Sequence, residues 1–193
     1  MTQDQANQIY NSYKQVVEQQ KKEEIELAKA QCELRQEQYR EQLNSEKQLS
    51  EQANLAEKIK AAESYRDNKI QDIEKNAADR LAGADERLKE NVEQAKQMEA
   101  KLQEDKVKQD TELRQKGLGN DEHQKQRDEL DKNQEKEKQE MLKEQAKADN
   151  SVKENLQRDL ESKQRELEKQ RQELERQREL ERQRQMAEQN RNR

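Results

Sequence analysis

The sequence predicts an all-α protein of long extended helices, arranged as an antiparallel helical hairpin or coiled coil, with a kinked single-helix rod as the alternative. Three observations predict it. Only 27% of the 193 residues are hydrophobic and 44% are charged, with a mean hydropathy of -1.79. A globular domain carries roughly 45–50% apolar and about 25% charged residues, so this chain cannot fill a compact globular core. Proline is absent and only 3 glycines occur, whereas disordered chains are enriched in such residues. Gln, Glu, Lys, Arg, Ala and Leu dominate instead, all good helix formers. Aromatic and β-branched residues are too scarce for a sheet.

The first helix is expected over residues 1–116. Thr2 and Gln5 fit a capping box, so helix can begin at once. Ile9, Tyr10, Tyr13, Val16 and Val17 follow at three- to four-residue spacing and form the most apolar patch in the chain. It reads as an ordinary contact stretch or as a patch that docks a partner protein, since tyrosine is enriched at interfaces. Between Ile25 and Leu55 the apolar stripe drifts around the helix and specifies no single register.

A sharper seam runs over 59–113. Ile59, Ile70, Leu81 and Val92 recur every eleven residues, and Ala62, Ile73, Ala84 and Ala95 repeat that spacing three residues later. Leu88 and Leu102 belong to the same seam, which continues to Leu113. Eleven residues in three turns give a nearly straight stripe, winding slightly to the right. Gly83, inside this seam, is expected to be a close-packing site.

Gly117, Leu118, Gly119 and Asn120 form a turn at 117–120. Gly117 suits the left-handed residue that ends a helix, with Leu118 reaching back to Leu113. Asn120 or Asp121 can then cap a second helix over 121–193, with Asp121 and Glu122 complementing its dipole. A symmetric turn there would place Val107 opposite Leu130, Ala95 opposite Leu142, Leu81 opposite Leu156, Ala77 opposite Leu160 and Ile70 opposite Leu167. The first forty or so residues would then project as a single helix.

Over 158–185 the second helix becomes a charged repeat. Gln164-Arg165-Glu166-Leu167-Glu168-Lys169-Gln170 is followed by Arg171-Gln172-Glu173-Leu174-Glu175-Arg176-Gln177, then by a copy one residue short, Arg178-Glu179-Leu180-Glu181-Arg182-Gln183. One leucine per heptad is half a normal coiled-coil seam. Glu/Arg pairs such as Glu173–Arg176 could instead hold a solvated single helix. This stretch resembles the charged Glu/Gln/Arg helices of filament-associated and ciliary coiled-coil proteins, a likeness that implies a structural role.

No constellation for chemistry is apparent, so no enzymatic activity, cofactor, metal or small-molecule substrate is expected. His123 is the sole histidine and cannot form a two-histidine metal site. Cys32 is the sole cysteine; it reads as a small buried residue, or as one that meets its copy in a parallel dimer. The 40 basic and 45 acidic residues are mixed, giving a net charge of -5, which is no nucleic-acid footprint. No apolar run is long enough to cross a membrane. Met1 to Gln20 lack a secretory pattern, and cytoplasmic location, with cytoskeletal association, is expected.

The expected function is a non-enzymatic structural coiled-coil protein, a spacer or scaffold in a cytoskeletal or ciliary assembly. Its partners would be proteins, through self-association or a larger filamentous assembly. The alternative is a helical-hairpin regulator, a stalk or chaperone-like partner of an ATPase or secretion complex.

Overall fold

The computed structural model describes residues 1–117 and 120–193. They form three helices, α1 (Gln3–Ser45), α2 (Leu49–Gln115) and α3 (Asn120–Arg191). At the start of α1 the Thr2 amide donates to Gln5 Oε1 at 3.0 Å, and the Gln5 amide donates to Thr2 Oγ1 at 3.2 Å. This is the reciprocal capping box read from the sequence.

The single helix expected over 1–116 is two helices. They part at Glu46–Gln48, where the Glu46 carboxylate accepts the backbone amides of Lys47 and Gln48, each at 3.1 Å. Gln52 closes the turn by donating its side-chain amide to the Glu46 carbonyl at 2.8 Å. Polar side chains here satisfy the amides that helix ends leave without partners, so the break needs neither Gly nor Pro.

At the second turn Gly117 has φ +57°, the left-handed conformation expected of a helix-ending glycine. Leu118, Gly119 and the Asn120 side chain, which complete the expected turn, lie outside the described residues. Asp121 and Glu122 occupy the first turn of α3.

The helices contribute to two compact units. Unit 1 comprises Met1–Ser12 and Gly83–Gln157; unit 2 comprises Tyr13–Ala82 and Arg158–Arg193. Unit 2 is a three-helix bundle. Its α1 and α2 segments are antiparallel: Gln36 bonds the Ile59 carbonyl and Glu63, while Gln20, earlier on α1, meets Arg80, later on α2. Its α1 and α3 segments are parallel, because Tyr13 meets Asp159 and Gln38 meets Glu181.

The core of unit 2 explains how so few apolar residues suffice. Leu27 and Leu34 of α1 pack with Leu167 and Leu174 of α3, and Ala30 flanks them. Leu167 is 0% exposed. The charged repeat is therefore not a solvated helix. The leucines of its first two copies, Leu167 and Leu174, meet Leu27 and Leu34 on α1, while most of the remaining positions face water. Nor do the first forty residues project alone, since their apolar positions serve as this third wall.

The expected α2–α3 register also changes. Val107 and Leu142, each assigned an apolar partner, are 62% and 50% exposed. Leu167 packs with α1 leucines and not against Ile70. In unit 1 Gln134 donates to Gln109 at 3.3 Å, whereas a symmetric turn would bring it to Gln103. With α1 available, the best burial for the α3 leucines lies on a helix that a two-helix scheme leaves out.

In unit 1, Met1 and Ala6 are buried with Ala84, Leu88, Val92 and Ala95 of α2 and Leu156 of α3. The Met1 amino group pairs with Asp149 Oδ1 at 3.2 Å. Gly83 is not a close-packing site. A Cβ built there would meet nothing within 4 Å.

Candidate functional site

The most connected set of polar side chains lies in unit 2, where one residue from each helix converges. Tyr13 of α1 donates its hydroxyl to Asp159 Oδ2 of α3 at 2.6 Å. Arg80 of α2 pairs with the same carboxylate at 2.9 Å and donates to Gln20 Oε1 at 3.0 Å. Gln20, 2% exposed, passes the chain on to the Leu160 carbonyl at 3.0 Å. Burial, then the Asp159 carboxylate, pushes the Tyr13 phenol up to about 12.

Every main member of this junction is satisfied, and each belongs to a different helix or turn of helix. Slipping any helix by one residue would break the Tyr13–Asp159 and Arg80–Gln20 bonds and leave the buried Gln20 amide and Tyr13 hydroxyl without partners, which costs more than an exposed pair contributes. The junction therefore sets register. Further along, Lys163 of α3 pairs with the buried Glu24 of α1 at 2.8 Å, and Arg171 pairs with Glu23.

The last turns of the α1 and α3 segments present a different arrangement. Gln38 donates to Glu181 Oε2 at 3.2 Å and Gln185 donates to Glu41. Desolvation first, then the neighbouring Glu181, raises the Glu41 carboxyl above its ordinary value.

Of the docking patch, Tyr13 and Val17 are 4% and 0% exposed and belong to the core of unit 2. Val16 faces water, and Ile9 and Tyr10 are half-buried in unit 1. The five residues thus do not form one open docking face; their apolar atoms are mostly used within the chain.

The eleven-residue seam is a packing surface throughout. Ala62, Ile73, Ala84, Leu88, Val92 and Ala95 are buried, and Ile59, Ile70, Leu81 and Leu102 are half-buried. Cys32 seats against it, donating its thiol to the Ala62 carbonyl at 3.4 Å while burial raises its pKa. That position removes it from a symmetric thiol contact with a second copy. Sequence reasoning did not single out Gln20, Arg80, Asp159 or Glu181, since polar residues of this kind are everywhere in the chain and only the fold distinguishes them.

In unit 1 the α2–α3 pair runs on past the segment covered by Met1–Ser12. There a groove of about 560 Å³ opens between Leu102, Lys106, Gln134, Lys138, Met141 and Leu142. Among the described residues, no three or more His, Cys, Asp or Glu side chains are placed to hold a metal ion. No described helix is long and apolar enough to cross a membrane.

These features define an all-α protein of long packed helices, with polar junctions in place of an extensive apolar core. Beyond that class, no family model, no curated protein and no solved structure matches the chain.

Proposed function

We propose that this chain is a non-enzymatic structural protein, a helical spacer or scaffold in a larger assembly of the cytoskeletal or ciliary kind, and that it self-associates through unit 1. The observation that carries this reading is the open groove on the α2–α3 pair. In unit 1 the exposed Leu142 and the half-buried Leu102 and Met141 line it among charged residues of both signs, including Glu99, Lys106, Asp131 and Lys138, and Val107 stands exposed on a separate patch of α2. Two helices with an open groove accept additional helices, as four-helix bundles do.

A second copy is the occupant of choice, since its own hairpin offers the same leucine, methionine and mixed-charge strip. Such a contact is self-complementary about a two-fold axis and closes as a dimer. The free, buried Cys32 fits a reducing compartment, and we place the protein in the cytoplasm.

Light scattering on a size-exclusion column, run over a hundredfold range of concentration, tests the reading. The parent is expected to shift from monomer to dimer as concentration rises. Met141→Lys with Leu142→Glu is expected to remain monomeric with unchanged helicity. A parent that stays monomeric throughout, or a double variant that dimerises equally well, overturns self-association by this face. Co-sedimentation with polymerised filaments tests the larger assembly.

A further inference from the structure

In unit 1, α1 contributes only Met1–Ser12, laid along the α2–α3 pair like a strap. The pattern of burial shows what it covers. Along α2, Ala84, Leu88, Asn91, Val92 and Ala95 are buried, whereas Met98 and Leu102, farther along the same face, are half-buried. Two helices alone leave their facing side chains partly open, as at Leu102 and Met141, so full burial over 84–95 requires the third helix.

Asn91 is a polar fault beneath that cover. It falls on the line Ala84, Leu88, Asn91, Ala95, Met98, Leu102, spaced alternately by four and three, and every other member is apolar. It is 6% exposed, and its side-chain carbonyl Oδ1 has no hydrogen-bond partner among the described residues. The buried polar side chains Gln20, Glu24 and Gln36 of unit 2 are each bonded. A buried carbonyl that has lost water and gained no donor carries its full desolvation penalty. Asn91 carries it only while the strap is down, because lifting the strap lets water reach Oδ1.

The strap is held more lightly than the rest of α1. Met1 and Ala6 are buried, Ile9 and Tyr10 are half-buried, and the Met1 amino group pairs with Asp149. The Thr2–Gln5 and Gln3–Asn7 side-chain bonds stay within α1. From Tyr13 onward the helix is fixed by the bond to Asp159 and by Val17, which is 0% exposed.

We propose that residues 3–12 are a strap that lifts from unit 1 as a local opening ending at Tyr13, and that Asn91 sets how often it lifts. The closed form hides a carbonyl that the open form hydrates, so the fault shifts the balance toward opening without touching the core of unit 2. This inference does not depend on self-association through the groove.

Hydrogen exchange of the full chain, kept dilute, reads the opening. Peptides covering 3–12 are expected to exchange at least roughly tenfold faster than those covering 20–36. End fraying alone would also make 3–12 fast, so variants at Asn91 decide. Asn91→Leu, of similar shape but with no group to hydrate, is expected to slow exchange over 3–12 roughly tenfold and to leave 20–36 unchanged. Asn91→Val repeats that arm with a smaller side chain. Asn91→Asp, whose charge suits burial less than an amide does, is expected to speed exchange over 3–12. Exchange over 3–12 that none of these variants moves overturns the proposal. So does equal slowing of 3–12 and 20–36 by leucine and valine, which marks a general gain in core stability.

Discussion

Leu167→Ala, set beside Leu180→Ala, tests the central packing claim with one substitution at two positions of the same repeat. Leu167 is 0% exposed among Leu27, Leu34 and Leu174, whereas Leu180 is 53% exposed. Truncation to alanine removes three carbons. At about 0.8 kcal/mol per buried methylene the lost transfer energy is ~2.4 kcal/mol. A residual cavity of roughly 50 Å³, at about 24 cal/mol per Å³, adds ~1 kcal/mol. Leu167→Ala is thus expected to cost about 3.5 kcal/mol and Leu180→Ala less than about 0.5 kcal/mol. Urea unfolding followed by far-ultraviolet circular dichroism gives both, provided the slope m is common to the variants. Equal costs would refute the reasoning. They would mean that the repeat is a solvated helix held by its own Glu/Arg pairs, with no α1 leucines against it.

Four other outcomes follow from single features. The Tyr13 phenol, raised from 10.0 to about 12, keeps its proton over a range in which the unfolded chain has lost it. Its contribution is therefore whole below pH 10 and disappears as pH approaches 12. Denaturation across that range should show a steeper loss of stability in the parent than in Tyr13→Phe, and parallel curves would contradict the junction. Gly83→Ala, with open space around its Cβ, is expected to stabilise the helix by about 0.5–1 kcal/mol. Gly117→Ala, at φ +57°, should destabilise by about 1–2 kcal/mol, so thermal melts of the two variants must move in opposite directions. Cys32, buried and with its thiol raised, should resist iodoacetamide in the native protein and react on addition of urea; rapid native alkylation would show that α1 and α2 do not cover it.

Much of this architecture was legible in the residues. The capping box at Thr2, the glycine that ends α2 and the eleven-residue seam are local or periodic signals, and the structure uses all three. The turn at Glu46–Gln48 was not read, because its stop is made by the Glu46 and Gln52 side chains and lacks glycine or proline. The drifting stripe between Ile25 and Leu55 has another cause: α1 buries two faces, Leu27 and Leu34 toward α3 and Cys32 toward α2. Missing that turn turned three helices into two. It also made the α3 leucines look under-supplied and the Tyr13–Val17 patch look unpartnered, when each completes the other's wall. The polar junction of Tyr13, Gln20, Arg80 and Asp159 lay beyond sequence reasoning altogether. Nothing in the local sequence separates Arg80 from the other basic residues, and its role comes only from what three helices bring to it.

The parallel pairing of α1 with α3 imposes an order on assembly. Contacts between α1 and α2 in unit 2 close over separations from 23 residues, for Gln36 with Ile59, to 60, for Gln20 with Arg80. Those between α1 and α3 close over far longer separations, such as 140 residues for Gln20 with Leu160 and 146 for Tyr13 with Asp159. Loop-closure entropy rises with separation, so the short-range pair forms first and α3 docks last. On a ribosome the difference becomes a waiting period. At about 5–20 residues per second, the 75 residues from Gly83 to Gln157 that separate the first two walls from the third take several seconds to emerge. During that interval Leu27 and Leu34 lack the α3 leucines that cover them in the finished bundle.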